Sequence, residues 1–235
     1  MDTRFPFEII AQPSEDTCGP TCLHAVYQHY GDRISLEEVV RDIPHLHDGS
    51  TVDALLALHA LRRGYRATIY SFNLSVFDPS WFVLSRAKLR QKLRQQLGVR
   101  KHPKLEMATQ AYIEFLKLGG RLRLKDPTAS LVRGYLKRGR PIIAGLSSTW
   151  LYRSPRERAD TTADDIGGEP AGHFVVLHGY ARESREVWVA DPYVHNPSAG
   201  LLYKVRMERL IAAVLLGVLS YDSSLLVIEP RQKTA

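Results

Sequence analysis

The chain carries only two cysteines, Cys18 and Cys22, in 235 residues, too few for the disulfide framework of a small secreted domain. It also lacks a long apolar run. The longest, Leu210 to Leu219 (LIAAVLLGVL), is about half of the roughly 20 residues that a membrane-spanning helix needs, and is expected to be core. The opening MDTRFPFEII holds Asp2 and Glu8, has no apolar h-region, and is followed by no A-x-A cleavage site. A cytoplasmic, reducing compartment is therefore expected. No repeat at roughly 20 to 50 residues and no low-complexity tract is present, which excludes solenoids and propellers. Helix-turn-helix, zinc-finger and RRM signatures are missing as well, so nucleic acid is not an expected partner.

What the chain does have is enough apolar sequence, 44%, for a sizeable core in a single domain. Its net charge of +7 is unevenly placed. From Leu84 to Arg140 there are 16 Lys and Arg against Glu106, Glu114 and Asp126, a balance of +13, which leaves the rest of the chain at −6. The densest part, Arg86 to Lys104, is either a solvated helix face or a docking face for an anionic partner.

Helical periodicity dominates the first half. Cys18 to Tyr30 places apolar residues at helical spacing and stops at Gly31, a C-cap position. SLEEVVRDI (Ser35 to Ile43) opens with a capping box of Ser35 and Glu38, and GSTVDALLALHALRRG (Gly49 to Gly64) has a Ser/Thr start and a Gly stop. Ser85 to Leu97 and Leu105 to Leu118 follow as helices, after a strand-like RATIYSF (Arg66 to Phe72). The second half changes period: Arg121 to Leu124, Pro141 to Ser147, His173 to Tyr180, Glu186 to Asp191 and Ser224 to Glu229 read as strands. The expected plan is α+β in one domain over residues 1–235, a mainly helical lobe over about 1–120 and an antiparallel sheet lobe over about 121–235. A polar loop, Ser154 to Gly172, lies between strands, where functional segments concentrate.

The segment with most chemical content is QPSEDTCGPTC, Gln12 to Cys22. It places Cys18 at a helix N-terminus, where unpaired N–H groups and the helix dipole favour an anion and thiols become nucleophilic. Gly19 permits close approach of a substrate carbonyl, Pro20 suits the first turn, and Gln12 can set an amide donor beside the Cys18 N–H to form an oxyanion hole. An ordinary buried cysteine at the start of a helix is the plainer account of Cys18 alone.

A nucleophilic thiol needs a base that a third group orients, and geometry sorts the histidines. His24 faces away from Cys18 on the helix, and His29 lies roughly 16 Å along its axis. His173 opens an apolar strand, and Asp191 ends the next one. If the hairpin turning at ARES, Ala181 to Ser184, has an odd loop, the two share one sheet face at its open end. His178 falls on the opposite face, roughly 16 Å away, as a hydrogen-bonded sheet histidine.

These residues resemble the papain-like cysteine peptidases, and within them the bacteriocin-leader-processing (double-glycine) family. The likeness rests on Gln12 ahead of Cys18-Gly19-Pro20, on Tyr30-Gly31, on SLEEV and GSTVDALLALHALRRG, on Gly172-His173-Phe-Val-Val with Gly179-Tyr180, and on Asp191-Pro192. The resemblance implies a papain-like fold with Cys18 as nucleophile, His173 as base, Asp191 as orienter and Gln12 as oxyanion donor. The processing peptidases precede an ABC exporter, which this sequence does not contain, so a stand-alone form is expected. The basic stretch Arg86 to Lys104 and the acidic loop Asp160 to Glu169 fall outside the shared motifs.

The expected activity is thus hydrolysis of a peptide or amide bond through a Cys18 acyl-enzyme, with no cofactor and no metal. An acyl- or peptidyltransferase using the same intermediate, and a non-catalytic binding protein using the basic face, are the alternatives. Two cysteines at i, i+4 make a poor zinc set and a strained bridge. Pro44 to Asp48 (PHLHD) reads as a solvated loop between helices rather than a metal site. Trp150 and Tyr152 line a groove or cover a sheet edge.

Overall fold

The structure is a computed structural model that describes residues 2–45 and 51–231. Leu46, His47 and Asp48 of the PHLHD loop lie outside the described residues. A two-residue strand β1 (Thr3–Arg4) precedes three helices, α1 (Cys18–His29), α2 (Leu36–Asp42) and α3 (Asp53–Arg62). The Ser35–Glu38 capping box of α2 forms in both directions, with the Ser35 side chain on the Glu38 N–H and the Glu38 carboxylate on the Ser35 N–H. After β2 (Arg66–Ser71), a 3₁₀ turn leads into α4 (Arg86–Val99) and α5 (Pro103–Lys117). Next come β3 (Arg121–Arg123), α6 (Ala129–Leu136), β4 (Ile142–Ser147) and the short α7 (Ser148–Tyr152). The chain closes with β5 (Gly172–Ala181), β6 (Glu186–Ala190), β7 (Leu202–Arg206), α8 (Met207–Leu216) and β8 (Ser224–Glu229).

The eight strands form one open sheet in the order β3-β2-β8-β4-β5-β6-β7, with β1 paired to β5. The pairings are antiparallel except β2 with β3, which run parallel. The sheet is therefore mixed rather than purely antiparallel, because α4 and α5 carry the chain back across the sheet between these two strands. β2, from the helix-rich first half, sits inside the sheet between β3 and β8.

Helices cover both faces, which explains why HFVVLHGY, PIIAGLS and SLLVIE are nearly continuous apolar runs. Phe174, Val176, Ile143 and Leu226 point to a core shared with α1, α3 and α5. Val175, Leu177, Ile142, Ala144 and Leu225 point to a second core under α6 and α8. Burial of each such side chain contributes about 1.5 to 3 kcal/mol. The apolar run at Leu210 is the inner stripe of α8, where Leu210, Ala213 and Val214 are buried. No helix among the described residues is long and apolar enough to cross a membrane. α4 buries only Leu89 and Leu93, and its Arg86, Lys88, Lys92 and Arg94 are exposed while Arg90 is half-buried.

Four elements have weak sequence signals. α6 is eight residues long with Gly134 inside it, α7 has five residues, β1 has two, and β7 (LYKVR) is a short alternation.

Candidate active site

Cys18 begins α1, preceded by a Ser14–Thr17 turn in which the Thr17 hydroxyl bonds the Ser14 carbonyl and accepts from the Ser14 N–H. Gly19 is buried, and a Cβ there would lie 2.9 Å from a Thr51 methyl carbon and 3.3 Å from Leu56 and Phe174. Its small size thus lets α1 seat against β5 and α3, a packing reason rather than the substrate approach its sequence position suggests. Cys22 is one turn further on and fully buried, its thiol donating to the Phe174 carbonyl at 3.2 Å. Burial, then the neighbouring Cys18 and Asp191 charges, push the Cys22 thiol well up.

His173 and Asp191 meet as expected, by a different route from the one expected. β5 and β6 pair from Ala181 opposite Glu186 to Gly179 opposite Trp188, around an even loop of four residues, 182–185. That register alone would put Asp191 on the face of Val176, away from His173. The register then shifts between Leu177 and Gly179, where β5 carries one extra residue, His178, and resumes with Val176 opposite Ala190. The bulge restores the parity. Asp191 continues the alternation of Val187 and Val189, and His173 that of Leu177 and Val175, all on the α8 side of the sheet.

The His173 Nε2 lies 2.8 Å from Asp191 Oδ1, both side chains buried. Cys18 acts on the imidazole as well, and with Nε2 committed to Asp191 the nitrogen left to serve the thiol is Nδ1. Asp191 accepts three further bonds: Tyr152 and Tyr203 hydroxyls, each 2.7 Å from Oδ2, and the Tyr193 N–H, 3.0 Å from Oδ1. Tyr203 reaches it because β7 pairs Tyr203 with Val189, on the same face as Asp191. Rings of Tyr152 and Tyr193 flank His173, each centroid 6.1 Å away.

These contacts set the charges. Burial opposes a charged imidazole, but Asp191 and then Cys18 outweigh it and raise His173 to about 10. Burial likewise works against an ionised Asp191, and His173 with the two tyrosine hydroxyls prevails to hold its carboxyl below the usual range. Both hydroxyls are pushed well up, first by burial and then by Asp191, so they remain neutral donors.

Gln12 is tied to the same loop, its backbone N–H donating to the Pro192 carbonyl at 2.9 Å. One hydrogen of its side-chain amide goes to the Ser14 carbonyl at 2.9 Å, which leaves the second for an incoming oxygen. His178 is a sheet histidine. Its Nδ1 faces the Phe5 carbonyl at 3.3 Å, its ring stacks on Phe7 at 5.4 Å, and burial lowers it to about 4. His29 bonds the Gly139 carbonyl and His24 lies by Gln28, both away from the thiol. Of the two aromatic candidates, Tyr152 belongs to the site and Trp150 lines a separate apolar hollow with Leu216 and Leu219. Sequence reasoning missed Tyr193 and Tyr203. Their signal was position: two residues after Asp191, and an inward place in the LYKVR alternation.

The fold is that of the papain-like cysteine peptidases, and it brings a thiol, an imidazole and a carboxylate together. The model of the Peptidase C39 family matches residues 6–83, and that of the Peptidase_C39 like family matches residues 101–208. The chain is a papain-like cysteine peptidase similar to the C39 peptidases. A putative C39-like peptidase from Bacillus anthracis shares its fold, at 14% identity over 99% of this chain and 100% of that one, with a TM-score of 0.50. Two further solved structures also align. Xylellain, a cysteine protease from Xylella fastidiosa, is 12% identical over 98% of this chain and 86% of that one, with a TM-score of 0.48. A double glycine motif protease from an AMS/PCAT transporter, in complex with its leader peptide, is 15% identical over 98% and 99%, with a TM-score of 0.46. No curated protein matches the chain.

Proposed function

We propose that the protein hydrolyses a peptide or amide bond through an acyl-enzyme on Cys18, with His173, Asp191 and Gln12 as the other catalytic and orienting groups. The observation that carries this reading is the buried His173, bonded through Nε2 to Asp191 and raised further by the neighbouring Cys18 thiol. The imidazolium favoured there stabilises a thiolate, which attacks the carbonyl carbon. The Cys18 N–H at the start of α1 and the free hydrogen of the Gln12 amide stabilise the resulting oxyanion. His173 gives its proton to the departing amine, then takes one from the water that opens the thioester. Asp191, fixed by two tyrosines, keeps the ring in the tautomer that this requires.

Both cysteines are free, which fits the reducing cytoplasm expected for the chain. Within the basic stretch Arg86 to Lys104, the exposed Arg86, Lys88, Lys92 and Arg94 of α4 support an anionic partner at that face. The test of the catalytic reading is intact-mass analysis after mixing the reduced protein with a peptide library. The expected result is a mass gain on Cys18 equal to an acyl fragment, with release of the matching amine, both lost in Cys18→Ala. Transfer of the acyl group to an added amine in preference to water would support the transferase alternative. No adduct and no released amine would refute the reading.

A further inference from the structure

A cleft opens beside His173. Its lining includes Gln12, Glu15, Glu157, Thr161, His173 and Tyr193, but not Cys18. Under the catalytic reading proposed above, on which this inference rests, the acyl carbon is bound to Cys18 and the departing nitrogen lies against His173. A cleft that touches His173 and Gln12 but not the nucleophile therefore receives the leaving half of the substrate. We infer that this cleft selects a cationic leaving group: a peptide with Lys or Arg at the first or second position after the scissile bond.

Charge and wiring carry the argument. The protein has a net charge of +7, yet no Lys or Arg lines this cleft, whereas Glu15 and Glu157 both do. Neither carboxylate is in an ion pair with a described residue. The cations of the adjacent loop are engaged elsewhere: Arg156 donates to the carbonyls of Asp165 and Ile166, and Arg158 pairs with Asp164 at 2.8 Å.

The loop also holds Glu157 in place. Its backbone exchanges two hydrogen bonds with Glu169, at 3.0 and 2.8 Å, and Asp164 ties the turn through the N–H groups of Ile166 and Gly167. Glu157 is half-buried, and burial followed by the nearby Glu15 charge holds its carboxyl above the usual range, with His173 acting the other way. Two like charges facing one cleft are relieved by a substrate cation. The half-buried position of Glu157 makes that contact less screened than a surface pair. The acidic loop Asp160 to Glu169 thereby serves to hold Glu157 at the cleft, through the backbone of Glu169.

The test is cleavage of a degenerate peptide library by the reduced protein, with the new N-termini sequenced by mass spectrometry. Lys and Arg at the first two positions of the released amines should exceed Asp and Glu by about fivefold. The ratio should fall to near one in the double variant Glu15→Gln, Glu157→Gln, and reverse in Glu157→Lys. The ratio is internal to each protein, so a change in overall rate does not affect it. Independently of any variant, raising salt from about 0.05 to about 1 M should flatten the wild-type preference. Cleavage without a basic preference, or a preference that survives both the double variant and high salt, would overturn the inference while leaving the peptidase reading intact. No released amine at all would overturn the peptidase reading and this inference with it.

Discussion

Replacing Asp191 with Asn tests how the site holds its proton. The carboxylate accepts from His173, Tyr152, Tyr203 and the Tyr193 N–H through two oxygens. An asparagine has one oxygen and an NH₂ in the same space. If its oxygen faces His173, the NH₂ meets two hydroxyls, which must rotate to accept. If it turns round, the NH₂ meets His173 Nε2 and forces the proton onto Nδ1, where the thiol needs an acceptor. Either way the negative charge is lost, and that charge is the largest of the influences raising His173 to about 10. An opposite charge at this distance typically moves a pKa by about 1 to 3 units, so His173 should titrate roughly that much lower in Asp191→Asn. The sign for stability follows: His173 is raised in the folded chain, so its stabilising contribution is complete below about pH 6.5, its ordinary value, and fades as pH rises towards about 10. In the variant that fading should occur at lower pH. NMR titration of ring-¹⁵N histidine reads the midpoint directly, and thermal unfolding across the same pH range reads the linkage. Turnover should fall by about 10² to 10⁴. A His173 midpoint that stays near its wild-type value in Asp191→Asn would refute the reasoning.

Iodoacetamide near neutral pH should label Cys18 and spare Cys22, whose thiol is fully buried and bonded to Phe174; peptide mapping showing equal labelling would contradict this. His173→Ala should abolish turnover in a folded protein, whereas His178→Ala should keep turnover and lose about 2 to 4 kcal/mol of stability, because it empties a stacked position among Phe5, Phe7 and Trp188; urea unfolding and steady-state rates separate the two, and the reverse pattern would exclude the assignment. Charge reversal of the outward Arg86, Lys88, Lys92 and Arg94 should abolish salt-sensitive binding to a polyanion without altering turnover of a short neutral peptide; binding indifferent to salt would leave α4 as solvated surface.

Much of this architecture was legible before the coordinates. A strong period with a Gly stop located α1, a capping box located α2 and a strong period ending at Gly64 located α3, whose N-cap is Val52 rather than the expected Ser or Thr, and apolar runs bounded by Gly, Pro or charge located β4, β5, β6 and β8. Cys18, His173 and Asp191 were legible as a group because a cysteine at a helix start and a histidine and an aspartate at neighbouring strand ends form a chemical pattern as well as a periodic one. Tyr193 and Tyr203 were not, since a tyrosine held beside a buried carboxylate looks in sequence like any core aromatic. The parallel pairing of β2 with β3 was also hidden: it depends on how α4 and α5 pack, and β3 is only three residues long. The parity of the β5–β6 hairpin was read correctly in outcome but not in cause, because a bulge leaves no signal in hydrophobic alternation when both faces of the strand are buried.

That bulge has a consequence for how such a chain can change over time. One backbone residue, His178, far from the thiol, decides which side of the sheet the segment ending at Asp191 presents. Insertions or losses in the tip at 182–185 can be taken up by the turn, and substitutions of the His178 side chain leave the count untouched. A single-residue deletion between His173 and Gly179, by contrast, inverts the hairpin like a reading-frame error, exchanging the inner row for the outer one in a single step. The distance between a working and a dismantled site along this stretch is thus measured in residue number rather than residue type, and gradual drift cannot cross it.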